Sequence, residues 1–145
     1  MAITSAICSS FKQELLQGKH NFSSSSGDTF KIALFTSSAS LGASTTDYST
    51  SNEITNTSGT AYTAGGASLT NSGVSLSSTT AFTDFSDVSY SSATFTANGA
   101  LIYNDDESDK SVCAIAFGAD KTVTSGTFTI QFPTADATNA IIRLA

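Results

Sequence analysis

The spacing of apolar residues changes once along this chain, near residue 18, and the change separates a short helix from a long series of strands. In the first segment the apolar positions recur every four residues and are Ile7, Phe11 and Leu15. Thr4 or Ser5 is available to cap the start, and Gly18 provides the stop because glycine tolerates a left-handed conformation. The pattern predicts a helix over residues 1–18, and its apolar face is a candidate protein contact, either with the sheet or with a neighbouring subunit.

From His20 onward the apolar spacing falls to two, which is the period of a β-strand. The clearest strands are predicted at residues 30–35, 100–103, 112–117 and 127–132, and the last of these alternates cleanly. An acidic turn separates the second of these segments from the third, so the two predict a β-hairpin. In the fourth segment the residues predicted to face a core are Phe128, Ile130 and Phe132. Residues 118–126 contain turn residues and predict a connection ahead of that strand.

The middle of the chain has fewer apolar residues. Residues 37–58 predict a long loop or a short edge strand, and residues 141–144 predict a final apolar strand or tail. Weaker strands are predicted around Tyr62, Leu69, Val74 and Leu76. About seven to nine short strands predict an all-β fold, an antiparallel β-sandwich or a jelly-roll-like arrangement, with one short N-terminal α-helix. The length predicts a single domain, residues 1–145, in which the sandwich spans residues 20–145.

The composition adds that the surface is rich in hydroxyl groups and poor in charge. Ser and Thr make up about a third of the residues, whereas Asp, Glu, Lys and Arg make up 12%. Between Ile32 and Asp109 there is no Lys, Arg or His, and the formal net charge is −6. Nucleic acid is therefore not an expected partner, because its binding requires clustered Lys and Arg. No apolar run approaches the roughly twenty residues of a membrane-spanning helix, so a membrane partner is not expected either.

One cluster of side chains has the chemistry of a metal site. It is the acidic turn, whose carboxylates are Asp105, Asp106, Glu107 and Asp109. Such a turn can supply some of the oxygens that Ca²⁺ needs, but the spacing lacks the alternating pattern of a calcium-binding loop. The favoured interpretation is a solvated hairpin tip, which also discourages aggregation at a sheet edge.

The remaining candidate residues favour a protein without catalysis or cofactors. His20 lacks a flanking nucleophile motif and is predicted to lie at the surface or to cap the helix end. Asp84 and Asp87 are carboxylates that a glycoside hydrolase could use, but they resemble turn residues. Cys8 and Cys113 each lie in an apolar pattern and are predicted to be small buried hydrophobic residues. A carbohydrate-active enzyme stays as a hypothesis of another class, and it predicts two carboxylates in one cleft.

Several segments resemble small structural proteins of tailed-bacteriophage virions. They are FKIALFTS at 30–37, GTAYTAGG at 59–66, ATFTANGALIYN at 93–104 and the ending 127–145. The resemblance implies a non-enzymatic virion protein. The small size and the absence of a fibre-like repeat favour a capsid decoration or cement protein that docks on the major capsid protein. The alternative within the same class is a tail component such as a fibre or a receptor-binding adhesin, which predicts an exposed aromatic-lined groove or trimeric packing.

The resemblance also implies where the protein is found and what it contacts. Its expected partners are other virion proteins and further copies of itself in a homo-oligomer. The N-terminus lacks the basic start and continuous apolar stretch of a signal peptide, so assembly into the virion is expected in the host cytoplasm. In such proteins an aromatic residue is expected near Tyr90 and a basic residue near Asn98, where this chain has an amide.

Overall fold

The computed structural model describes residues 2–55 and 61–145, and within them the chain is all-β with one short α-helix. The elements in chain order are β1 (Ala6–Ile7), α1 (Ser9–Leu16), β2 (Phe30–Phe35), β3 (Ala67–Ser68), β4 (Asn71–Ser77), β5 (Thr80–Phe85), β6 (Val88–Asn104), β7 (Lys110–Ile130) and β8 (Ile142–Leu144). They form a five-stranded sheet in the order β1-β7-β6-β2-β3 and a three-stranded sheet in the order β4-β5-β8. All the strand pairs are antiparallel, so the predicted fold class is confirmed.

Strand β2 is the centre of the core because both of its faces are covered. It pairs with β6 along its whole length and with β3 on its other side. Phe30, Ile32, Ala33 and Leu34 have no exposed surface. Ala33 points to one face of the sheet and the other three residues point to the opposite face. The nearly continuous apolar run of this strand is typical of a strand buried on both faces.

The helix begins later than predicted. Neither Thr4 nor Ser5 caps it, because the preceding residues belong to the five-stranded sheet: Ile7 lies in β1 opposite Cys113. The N–H of Cys8 donates to the carbonyl of Val112, and Cys8 is the N-cap, although its side chain does not bond to the first turn of the helix. The predicted start, and the placement of Ile7 on the helix, are therefore wrong.

The predicted end of the helix is confirmed. Gly18 has φ +71°, and its N–H donates to the carbonyl of Leu15 while the N–H of Lys19 donates to that of Glu14. These two bonds are those of a Schellman motif, which requires a residue in the left-handed region.

Strands β6 and β7 form a hairpin that is longer than predicted. The hairpin around the acidic turn is confirmed, but the connection predicted at residues 118–126 is wrong because β7 continues through it. Gly118 at φ +81° and Ser125 at φ +47° lie where the pairing register is irregular, so the turn residues form bulges rather than a turn. Strand β2 covers only residues 99–104 of β6, and beyond it residues 88–98 and 117–130 form a two-stranded ribbon.

The two sheets meet at a cluster of phenylalanines. Phe30 of β2 stacks on Phe22 with ring centroids 4.3 Å apart, and Phe85 of β5 lies 5.8 Å from Phe30. Phe132 in turn lies 5.8 Å from Phe85, so the predicted core-facing strand near the C-terminus reaches this cluster. The three-stranded sheet is thereby anchored to the five-stranded one at the Phe85 end of β5.

The long connection between β2 and β3 agrees with the predicted loop as far as Thr55. Residues 56–58 of that predicted loop lie outside the described residues, as do residues 59–60 of the segment GTAYTAGG. Isolated bridges join Glu53 to Phe35 and Asp47 to Lys110. Tyr62 was expected in a weak strand but lies in the connection itself, whereas Val74 and Leu76 do lie in β4.

Candidate functional site

Two carboxylates of the acidic turn, those of Asp105 and Asp106, bond to different partners. Asp105 pairs with Lys31 at 3.2 Å, and Asp106 Oδ2 accepts a bond from the N–H of Thr29 at 2.6 Å. Ser108 and Asp109 hold positive φ angles of 53° and 60° that close the turn. Within residues 2–55 and 61–145 no three His, Cys, Asp or Glu side chains come together in a way that could hold a metal ion. The turn therefore fastens the hairpin to the start of β2.

The predicted apolar helix face is divided between the interior and the surface. Phe11 is 2% exposed and packs on His20 and Phe22, at centroid distances of 4.9 and 5.9 Å. Leu15 is half-buried, and the next residue, Leu16, is 92% exposed. A contact of Ile7, Phe11 and Leu15 with another protein stays a prediction, and Leu16 is the exposed large apolar side chain of this helix.

His20 is buried, contrary to the expected surface or capping position. Its Nε2 lies 2.8 Å from Glu14 Oε2, and its Nδ1 lies 3.0 Å from Asn104 Nδ2. Asn104 Nδ2 also donates to Asp28 Oδ2 at 2.8 Å. The cluster connects α1, the segment after it and β6. The turn at Gly18 reverses the chain and places His20 beside Glu14. Gly18, as a helix stop, is the feature of the sequence that could have indicated the contact between His20 and Glu14.

The partners of Asn104 fix the proton positions in this cluster. Asn104 Oδ1 accepts from the N–H of Asp106 at 3.1 Å, which orients the amide so that Nδ2 faces both Asp28 and His20. Because Nδ2 is only a donor, His20 Nδ1 accepts, and the Nε2–H donates to Glu14. Both ring nitrogens of His20 therefore have partners within the fold, and the arrangement has a structural role.

A second buried cluster forms around Glu53, which is 8% exposed. Its carboxylate accepts from the hydroxyls of Tyr48 and Tyr62, each at 2.6 Å, and from the N–H of Gly65 at 2.8 Å. Tyr62 in turn accepts from the N–H of Leu34 at 2.9 Å. Burial, followed by the bond to Glu53, raises the pKa of both tyrosines. These bonds hold the long β2–β3 connection against the core strand.

Asp84 and Asp87 bond to the backbone rather than to each other. Asp84 lies inside β5 and is 1% exposed, so its prediction as a turn residue is wrong. Its oxygens accept from the N–H groups of Phe85 at 2.8 Å and Ile141 at 3.3 Å, and Asp87 Oδ1 accepts from that of Phe132 at 2.8 Å. Burial raises the pKa of Asp84 despite these bonds. Both carboxylates fasten the C-terminal segment to the sheets.

The two cysteines are free thiols in the interior, as predicted. Cys8 has no exposed surface, and Cys113 is 3% exposed. Burial raises the pKa of the Cys113 thiol to about 12, so the side chain stays neutral at physiological pH.

Two open grooves have mainly apolar linings. The sheet groove, of about 440 Å³, lies between the end of α1 and the three-stranded sheet, and its lining includes Leu15, Phe22, Val74, Ala81, Ile142 and Leu144. The ribbon groove, of about 520 Å³, runs along the outer part of β7, and its lining includes Ile115, Phe117, Lys121, Phe128, Phe132 and Ile141. Periodicity had indicated a core for several of these residues, but it could not show that part of that core is open.

No protein-family model, curated protein or solved structure matches this chain. Among the residues that the structure describes, no helix has the length and apolar character needed to cross a bilayer.

Proposed function

We propose that this chain is a non-enzymatic structural protein of a tailed-bacteriophage virion, and specifically a decoration protein that docks on the major capsid protein. The observation that carries the proposal is the chemistry of the two grooves. Their linings are mainly apolar, whereas the buried Glu14, His20, Glu53 and Asp84 are used in bonds within the fold. Open apolar grooves are typical of surfaces that bind other molecules.

The contact at Asn98 is consistent with the resemblance. Asn98 Nδ2 donates to Asp120 Oδ1 at 2.8 Å across the ribbon, so a basic residue at this position would face a carboxylate. Tyr90, the expected aromatic, packs between Tyr62 and Phe95 at centroid distances of 5.7 and 5.9 Å. Tyr90 therefore lies in an aromatic cluster, and Asn98 makes an amide–carboxylate contact at the position where the resemblance implies a basic residue.

A tail adhesin is the second candidate because the ribbon groove has the aromatic lining that this alternative predicts. Phe117, Phe128 and Phe132 are partly exposed in the groove, beside the cation of Lys121. Aromatic side chains flanked by polar groups are common in ligand sites.

Counting copies in purified particles separates the two candidates. A decoration protein is expected in hundreds of copies per particle, distributed over the shell, because it follows the symmetry of the capsid. The measurement is quantitative mass spectrometry against the major capsid protein, combined with imaging of the particle. About a dozen copies at the tail would reject decoration in favour of the adhesin, and absence from purified particles would reject both.

A further inference from the structure

The core-facing side of the three-stranded sheet continues beyond the core. Directly opposed residues of antiparallel strands share a face. One row across the sheet is Val74, Thr83 and Ile142, and the next row outward is Leu76, Ala81 and Leu144. Phe85 belongs to the same face, two residues from Thr83, and packs on Phe22 and Phe30. The face is therefore covered at Phe85 and extends outward from there as an apolar surface.

The exposure of these residues shows where the cover ends. Thr83 and Ile142 are 4% and 6% exposed. By contrast, Val74, Leu76 and Leu144 are 61%, 72% and 56% exposed, and they are three of the four large hydrophobic side chains that stand exposed among the described residues. The fourth, Leu16, is the last residue of α1. Its neighbour Leu15 lines the sheet groove on the side opposite the three-stranded sheet. Exposed apolar side chains grouped in this way indicate an interaction site.

Protruding and recessed features occur together on this surface. Leu76 projects from the sheet, and the sheet groove of about 440 Å³, which Val74 and Leu144 line, lies beside it. A two-fold interface needs one surface that is complementary to itself, so that a projection of one copy enters a recess of the other. The sheet face and its groove meet that requirement.

The charges of the sheet favour a second copy over an acidic or a basic partner. Asp84 and Arg143 are the charged residues of β4, β5 and β8, and by alternation both point to the opposite face. The Arg143 guanidinium donates to the carbonyl of Thr138, and Asp84 is buried. Two chains of net charge −6 repel one another, and a neutral face lets them meet without opposing carboxylates.

Strand β4 leaves one side of this face open to a second copy. It is an edge strand with neither charge nor proline, the residues with which proteins usually protect an edge.

We infer that this chain forms a symmetric homodimer through the uncovered part of the core-facing side of its three-stranded sheet, with Val74, Leu76 and Leu144 of each copy packed against the other. The inference rests on the sheet face alone and does not require the chain to be a virion protein. A monomeric chain would overturn it without affecting the copy-number result.

Sedimentation equilibrium on the full chain, from about 1 to 200 µM, tests the inference across the range in which dimers of micromolar affinity dissociate. We expect the mass to rise from 14.8 kDa to twice that value with concentration. Leu76→Glu and Leu144→Glu should each weaken the dimer at least tenfold, because a carboxylate would be buried in an apolar contact. Thr127→Glu introduces the same charge on an exposed strand position of the ribbon and should leave the dimer unchanged.

Hydrogen exchange locates the contact independently. The amides of residues 74–77 should exchange more slowly in the wild-type dimer than in Leu144→Glu, whereas the amides of β2 should exchange equally in both. Urea midpoints equal to wild type at low concentration show that the variants fold. A wild-type chain that stays monomeric at 200 µM, or a dimer that persists in both Glu variants, overturns the inference.

Discussion

At the scale of single residues, the fold depends on buried polar groups that hold irregular segments in place. Glu53 binds two tyrosine hydroxyls and one backbone N–H, and all three donors come from the region around the β2–β3 connection. A buried carboxylate is tolerated only when its oxygens are bonded in this way. The cost of removing its charge measures how strongly the connection is held.

Glu53→Gln should lower the free energy of unfolding by about 1–3 kcal/mol, because hydrogen bonds to a charged group are stronger than neutral ones. One acceptor oxygen becomes an NH₂ donor, which faces either Tyr48 or Tyr62 and forces that hydroxyl to reorient. Urea denaturation should show a lower midpoint with an unchanged slope.

Glu107→Gln in the acidic turn is the matched control, since it removes the same charge from a partly exposed side chain. It should change the free energy of unfolding by no more than about 0.5 kcal/mol. If both variants unfold at the same urea concentration, the Glu53 cluster does not stabilise the fold.

Residue type decided which of these positions could be predicted. Cys8 and Cys113 lie in apolar patterns, so their burial followed from the sequence. His20 and Asp84 lie among polar or turn-forming neighbours, and they are buried because partners distant in sequence, Asn104 for His20 and Ile141 for Asp84, bond to them. A local pattern carries no information about such partners.

At the scale of elements, the spacing of apolar residues predicted β2 and the hairpin around the acidic turn, because both segments pack their apolar residues against the core. It failed at residues 118–126, where Gly, Ser and Asp were interpreted as a turn. In the structure Gly118 and Ser125 adopt positive φ without reversing the chain, since pairing with β6 continues on both sides. Bulges and turns use the same residues, and only the partner strand distinguishes them.

Gly118 and Gly66 have similar positive φ angles but different space around them. Replacing each by Ala therefore compares the energetic cost of backbone strain with that of a steric clash. Gly118→Ala should cost about 1 kcal/mol, because φ is +81° but no atom lies within 4 Å of an added Cβ. Gly66→Ala, at φ +80°, should cost about 3 kcal/mol or more, since its Cβ would lie 1.9 Å from the carbonyl oxygen of Ile32. Urea midpoints measure both, and equal costs would mean that backbone conformation alone determines them.

At the scale of the whole molecule, the four buried or half-buried tyrosines make the free energy of unfolding depend on pH in the same direction. Burial raises the pKa of Tyr90 to about 12 and raises the pKa values of Tyr48, Tyr62 and Tyr103 as well, from an ordinary value of 10.0. Below pH 10 both the folded and the unfolded chain keep these protons. Above it the unfolded chain ionises first, so the free energy of unfolding falls as the pH rises.

Tyr90 provides the sharpest test of this alkaline dependence, because its buried hydroxyl has no hydrogen-bond partner within residues 2–55 and 61–145. Tyr90→Phe should be neutral or stabilising at pH 8, since it removes an unpaired polar group. Between pH 8 and pH 11 its advantage over wild type should grow by about 1.4 kcal/mol, the value of one pKa unit. The measurement is urea denaturation at both pH values, with the neighbouring, non-titrating Phe95→Leu as a control that should lose equal stability at each. If the free energy of unfolding changed equally with pH in wild type and Tyr90→Phe, Tyr90 would ionise equally easily in the folded and the unfolded chain.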